Sequence, residues 1–211
     1  MEKSAVLEFI KREKLVPVVR TNDTDDARKA IQALSKCGIK VFEITMTVPN
    51  AVELIAEFNN SDDVLIGAGT VLDAKQAEKC VEAGAKFIVS PAFNLETVEF
   101  CRANDIAVMP GTLTPTEVLT AWNAGADCVK VFPCDVLGGV KYLKTLKTLF
   151  PHIEMMPTGG VSCETIADFF AAGAIAVGVG ADLVDVKAIS EGNLEAIGEK
   201  AQRYLEIVKN L

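Results

Sequence analysis

The sequence predicts one (β/α)8 barrel domain over residues 1–211, preceded by an extra N-terminal helix, and three observations carry that reading. Short runs rich in Val, Ile, Phe and Met recur at 16–20, 41–45, 64–67, 87–90, 107–110, 128–132, 153–157 and 175–179. Their starts lie about 20 to 25 residues apart, room for one strand, one helix and two short loops. A glycine mark follows helix-like sequence and precedes a β-rich run at Cys37-Gly38-Ile39, Ala83-Gly84-Ala85, Ala124-Gly125-Ala126 and Ala172-Gly173-Ala174. Glycine there suits the left-handed residue just past a helix C-terminus, where a Cβ is costly.

Residues 1–14 read as the extra helix ahead of the first strand, and 189–211 as one long final helix. Between them, Asn22-Asp23 and Thr24 open a helix over 27–34, Pro49-Asn50 opens 51–58, and Thr114-Pro115-Thr116-Glu117 opens 118–123. Alternating βα units in one domain require a parallel sheet, and eight of them in this length fit a closed barrel better than an open sheet. Leu137-Gly138-Gly139 after the sixth run either caps a helix N-terminus or lies beside the site.

Composition narrows the function classes. With 21 Lys and Arg against 29 Asp and Glu, the net charge is −8, which argues against holding a nucleic-acid backbone. The longest apolar stretch, 169–181, has 13 residues and three glycines, too short for a span of about 20. No membrane segment is expected, and an N-terminus without signal-peptide character points to the cytoplasm. Six cysteines without a Cys-x-x-Cys pair read as reduced, mostly buried thiols. The single His152, beside Pro151, reads as a surface histidine and excludes a His-rich metal site, whereas a carboxylate-only Mg²⁺ site is harder to exclude.

Active sites of such barrels lie at the C-terminal ends of the strands, so polar residues at the run ends are the informative ones. Period-two alternation puts Val16, Val18 and Arg20 on one face, Val41, Glu43 and Thr45 on one face, and Cys128, Lys130 and Phe132 on one face. If those faces point inward, an Arg, a Glu and a Lys converge. Burial disfavours the charged form of an ammonium, so a lysine between Val129 and Val131 suits an imine-forming nucleophile; the alternatives are a structural ion pair with Glu43 or a side chain reaching outward. Glu43 is the natural proton shuttle, or else a simple counter-charge to Lys130 or Arg20. Glycine-rich turns end the last two runs, at Thr158-Gly159-Gly160 and Gly178-Val179-Gly180-Ala181. Such loops after strands seven and eight commonly hold phosphate on backbone amides, although glycines also simply make tight turns.

Taken in order, Val16-Pro17-Val18-Val19-Arg20, Phe42-Glu43-Ile44-Thr45, Gly67-Ala68-Gly69-Thr70-Val71, Ile88-Val89-Ser90-Pro91, Met109-Pro110-Gly111, Val129-Lys130-Val131-Phe132-Pro133 and Pro157-Thr158-Gly159-Gly160-Val161 resemble the 2-keto-3-deoxy-6-phosphogluconate (KDPG) and 4-hydroxy-2-oxoglutarate (KHG) aldolases over nearly the whole chain. The resemblance implies a class I aldolase barrel that cleaves KDPG to pyruvate and D-glyceraldehyde 3-phosphate, without metal or organic cofactor, in a cytoplasmic homotrimer of the Entner-Doudoroff route. It implies Lys130 as the imine lysine and Glu43 as general acid and base. Thr70 and Pro91 are implied to line the pyruvyl end with Phe132 beside the lysine, and Thr158, Gly159 and Gly160 to hold the distal end. The chain departs from the pattern twice. Thr47 stands where many members carry a carboxylate-binding arginine, a charge that Arg20 is placed to supply. Ala181 stands where members often have a phosphate-binding serine, which leaves the amides around Gly180 for that end. The phosphogalactonate epimer, a phosphate-free keto acid, a sugar-phosphate epimerase or isomerase, and a non-catalytic trimeric module are the competing readings.

Overall fold

Inward and outward positions alternate along each β-run, and this alternation builds two apolar layers in the computed structural model, which describes residues 1–59 and 64–211. The strands are β1 (Leu15–Val19), β2 (Val41–Thr45), β3 (Leu65–Gly69), β4 (Phe87–Val89), β5 (Ala107–Met109), β6 (Gly111–Thr112), β7 (Val129–Val131), β8 (Met155–Pro157) and β9 (Val177–Val179). All pair in parallel, in the orders β5-β4-β3-β2-β1-β9 and β6-β7-β8. Pro110 divides β5 from β6 because it carries no N–H, yet its carbonyl accepts from Lys130 N at 3.0 Å, so the two pieces act as one bent strand of the ring. A parallel bridge between Thr158 and Gly178 joins β8 to β9 and closes the barrel. The predicted eightfold ring is therefore present, with its fifth strand in two pieces.

Helices α1 (Lys3–Glu13), α2 (Thr24–Lys36), α3 (Ala51–Asn59), α4 (Ala74–Glu82), α5 (Leu95–Ala103), α6 (Pro115–Asn123), α7 (Val140–Leu149), α8 (Ile166–Ala171), α9 (Val186–Ser190) and α10 (Leu194–Lys209) fill the connections. Outward residues such as Phe42, Ile44, Ile66, Ile88, Val129 and Val177 pack beneath the helices. Inward residues Val16, Val41, Leu65, Phe87, Met109 and Met156 fill the barrel together with Val6 and Ile10 of α1, which plugs the end opposite the site. Tyr204 of α10 is fully buried. No helix among the described residues is long and apolar enough to cross a membrane.

Local chemistry explains the boundaries. Asp23 caps α2 by accepting from the amides of Asp25 and Asp26. Thr114 and Glu117 form a reciprocal capping box with Pro115 at the start of α6. The amides of Leu113 and Thr114 hold the Glu117 carboxyl below its usual range. All four glycine marks have φ between 94° and 104°. After α2, for instance, Gly38 N donates to Ser35 O and Ile39 N to Leu34 O.

Two expectations need correction. The long helix expected over 189–211 is two helices, because the chain turns at Gly192 (φ 76°) and Asn193 then caps α10 through Ala196 N. The runs at 153–157 and 175–179 contribute strands only from Met155 and Val177 onward. Leu137-Gly138-Gly139 resolves as a cap, since Gly138 ends a short 3₁₀ turn and Gly139 precedes α7. His152 is exposed, edge-on to Trp122, and all six cysteines are free, with Cys80, Cys101, Cys128 and Cys134 buried.

Candidate active site

β2 and β7 each carry one ionisable residue on the inward face, and the barrel brings the two together. Lys130 Nζ lies 3.4 Å from Glu43 Oε1, with Lys130 4% exposed and Glu43 fully buried. Two buried charges in this setting stabilise each other only as a pair, since an unpaired one costs several kcal/mol. The second oxygen, Glu43 Oε2, is buried with no hydrogen-bond partner. Space for the carboxylate comes from β3: a Cβ on Gly69 would fall 2.0 Å from Glu43 Oε1. Only glycine at that inward position leaves Glu43 beside the lysine.

Above Lys130 opens a cavity of about 620 Å³ at the C-terminal ends of the strands. Its wall runs from Lys130 and Phe132 at β7, past Thr158, Gly159, Gly160 and Ser162 after β8 and Gly180, Ala181 and Asp182 after β9, to Val18 and Arg20 at β1. Phe132, preceding a cis proline, holds its ring 5.2 Å from Lys130 Nζ. Thr158 Oγ1 is buried and unpartnered, and fits because Gly178 opposite has no side chain: a Cβ there would lie 2.2 Å from the hydroxyl. Buried polar atoms are nearly always satisfied. Two unsatisfied oxygens, Glu43 Oε2 next to Lys130 and Thr158 Oγ1 in the cavity wall, mark where a polar ligand belongs.

Arg20, exposed at the end of β1, reaches across β2 to donate from Nη2 to Thr70 Oγ1 at 3.1 Å. Thr70 holds this position with a left-handed backbone, φ 57°. Thr47 and Pro91 lie off the cavity wall. Thr47 is exposed, its hydroxyl 2.8 Å from that of buried Thr45, which itself donates to Val19 O. Half-buried Pro91 presses its carbonyl against Gly111, where a Cβ would fall 2.3 Å away. Sequence reasoning missed Val18, Ser162, Asp182, Val184 and Val186 as wall residues. Val18 shares the face of Arg20 and Asp182 directly follows the last glycine loop, so both signals were in the sequence. Among the described residues, no three His, Cys, Asp or Glu side chains gather to hold a metal ion.

The arrangement, an amine beside a carboxylate beneath an open cavity, can form an imine with a carbonyl and move protons around it. Comparisons with known proteins agree with that chemistry. The 2-dehydro-3-deoxy-phosphogluconate aldolase of Treponema pallidum (strain Nichols) is 33% identical over 204 residues, 96% of this chain and 97% of that protein. The KHG/KDPG aldolase of Escherichia coli (strain K12) is 30% identical, covering 92% of each chain. The KDPG aldolase of Legionella pneumophila, solved with pyruvate captured at low pH as a covalent carbinolamine intermediate, is 29% identical and superposes with a TM-score of 0.85 over 96% of this chain and 97% of its own. Residues 6–200 match the family model for KDPG and KHG aldolase, and the chain belongs to that family.

Proposed function

We propose that the chain is a class I aldolase that reversibly cleaves 2-dehydro-3-deoxy-6-phosphogluconate to pyruvate and D-glyceraldehyde 3-phosphate, and 4-hydroxy-2-oxoglutarate to pyruvate and glyoxylate. The observation that carries this reading is the buried Lys130, 3.4 Å from Glu43, facing the cavity. Aldolases among the relatives and the pyruvate carbinolamine of the Legionella enzyme support it.

Lys130 Nζ adds to the substrate C2 carbonyl, and loss of water from the carbinolamine leaves a protonated imine. Glu43 takes the C4 hydroxyl proton as the C3–C4 bond breaks, and the bonding pair flows into the imine to give an enamine. The aldehyde leaves. Glu43 then returns a proton to C3, and hydrolysis of the imine releases pyruvate and restores the lysine. In this reading Arg20, held by Thr70, pairs with the keto-acid carboxylate, and Phe132 shields the imine. Pro91 and Thr47 support the pyruvyl end from behind the wall. Thr158 offers its hydroxyl to the aldehyde portion, while Gly159, Gly160, Gly180 and Ala181 border the distal end. The working molecule in this reading is one barrel domain per chain, three chains to a cytoplasmic trimer, with no metal or organic cofactor.

Borohydride reduction in the presence of pyruvate, followed by peptide mapping, tests it. The expected result is one stable adduct on Lys130, absent in Lys130→Ala, which also loses turnover. Failure to trap an adduct, under conditions that trap a known imine aldolase, would remove the mechanism.

A further inference from the structure

The two ends of the cavity differ in charge. Among the described residues, the charged side chains in its wall are Arg20, Lys130 and Asp182. Lys130 sits at the reacting carbon. The guanidinium of Arg20 is drawn across β2 to Thr70 at the end of β3, away from β9 on the other side of β1. The distal end, between the loops after β8 and β9, is left with Asp182.

That carboxylate is fixed. Tyr204 donates to its Oδ2 at 2.6 Å and Lys200 Nζ lies 2.9 Å from Oδ1, while Arg203 of the same helix pairs with Glu164 at 3.7 Å. A second carboxylate stands behind the opposite loop: a Cβ on Gly159 would fall 2.5 Å from Asp135 Oδ1, and no cation among the described residues lies within ion-pair distance of Asp135. Ala181 offers no hydroxyl. The Ser162 amide already donates to Thr165 Oγ1, and the Ser162 hydroxyl accepts from Glu164 N. A phosphate dianion placed here meets backbone amides, the part-exposed Asp182–Lys200 pair in the wall and the exposed carboxylate of Asp135 behind it, charges that solvent and salt screen in part. A hydroxyl at the same place finds acceptors.

We infer that Asp182 is a specificity-determining residue that disfavours a phosphate at the distal end, so that this aldolase also turns over 2-keto-3-deoxy aldonic acids ending in a free hydroxyl. The reaction is the same cleavage, the C3–C4 bond breaking to give pyruvate and an unphosphorylated hydroxyaldehyde. The inference rests on the aldolase reading above.

The test is the ratio of kcat/KM for 2-keto-3-deoxy-6-phosphogluconate to that for 2-keto-3-deoxygluconate, measured as pyruvate release. In the unmodified protein the ratio is expected to lie within about tenfold of one. Asp182→Asn keeps the shape and the Tyr204 contact, removes the charge and releases Lys200, and is expected to raise the ratio about tenfold or more, with the gain shrinking as salt rises. Lys200→Met leaves Asp182 unneutralised and is expected to lower it. Opposite shifts from two neighbouring substitutions separate charge from a general loosening of the loop, which would move both the same way. A ratio above a thousand that neither substitution moves would overturn the inference while leaving the aldolase intact. No pyruvate from either substrate, with no trapped adduct, would instead overturn the underlying reading.

Discussion

At Glu43 the two carboxylate oxygens face different surroundings. Oε1 lies 3.4 Å from Lys130 Nζ, and Oε2 is buried with no partner. A carboxylate serving only to neutralise Lys130 would be expected to have both oxygens satisfied, as buried acceptors generally are. The free oxygen is what a proton shuttle needs. Glu43→Gln preserves the volume that Gly69 makes room for and removes the basicity together with the negative charge facing Lys130. Its kcat is expected to fall by about 10² or more while the borohydride adduct on Lys130 still forms. Near-normal turnover in that variant would sink the shuttle role. Arg20 poses a different question, because it binds rather than reacts. Losing a charge-assisted contact to the keto-acid carboxylate removes roughly 1.5–3 kcal/mol. Arg20→Ala is therefore expected to raise KM for the keto acid about tenfold to a hundredfold with a smaller change in kcat. An unchanged KM would move the carboxylate elsewhere in the cavity.

The ends of the helices show how far local sequence specifies this fold. The four glycines after α2, α4, α6 and α8 announce their turns because only glycine adopts that backbone without strain. The same turn follows α5 unannounced. Asp105 occupies it at φ 55°, donating to Arg102 O, while Ile106 N donates to Cys101 O. Aspartate tolerates the left-handed region but at some cost. Asp105→Gly is expected to stabilise the protein by up to about 1 kcal/mol, seen in urea unfolding as a higher midpoint at an unchanged slope. A lower midpoint would mean that the aspartate does something beyond making the turn. Alternation was equally legible: the faces read for Val16, Glu43 and Lys130 are the inward ones, because burial on both sides of a barrel strand leaves side-chain direction to the pleat. Some of what escaped was local: the break at Gly192 is written in a glycine at positive φ followed by the Asn193 cap. The rest depends on neighbours distant in sequence. The strand resumes after Pro110 because Gly111 and Thr112 pair with Lys130 and Val131 of β7. Ser162, Val184 and Val186 become wall residues only when the loops after β8 and β9 meet.

Across the whole molecule, burial of ionisable groups, in the layer between barrel and helices and, for Cys128, inside the barrel, sets a pH limit. Cys80 of α4, Cys101 of α5, Cys128 ahead of β7 and Cys134 after it are all inaccessible. Burial pushes the Cys80 thiol up to about 11 and those of Cys101 and Cys134 up to about 12, with Cys128 higher still. Desolvation, and then its bond to Asp182, likewise raise the Tyr204 phenol. In the unfolded chain these thiols ionise near 9, whereas the folded chain keeps their protons. Above that pH the unfolded state binds fewer protons than the native one, so stability falls as pH rises. Their contribution is intact below about pH 9 and is lost on the way to the folded-state values, with Tyr204 joining above about 10. Each fully ionised thiol adds a slope of about 1.4 kcal/mol per pH unit. Urea unfolding between pH 8 and pH 10.5, with a reductant present, should therefore show a steep alkaline loss. Replacing Cys101 by Ala should lower the overall stability, because a buried side chain is truncated, and should flatten the slope above pH 9 by one thiol's share. A profile that stays level to pH 10.5, or a slope that Cys101→Ala leaves untouched, would show that these thiols ionise within the folded protein or reach water before it unfolds.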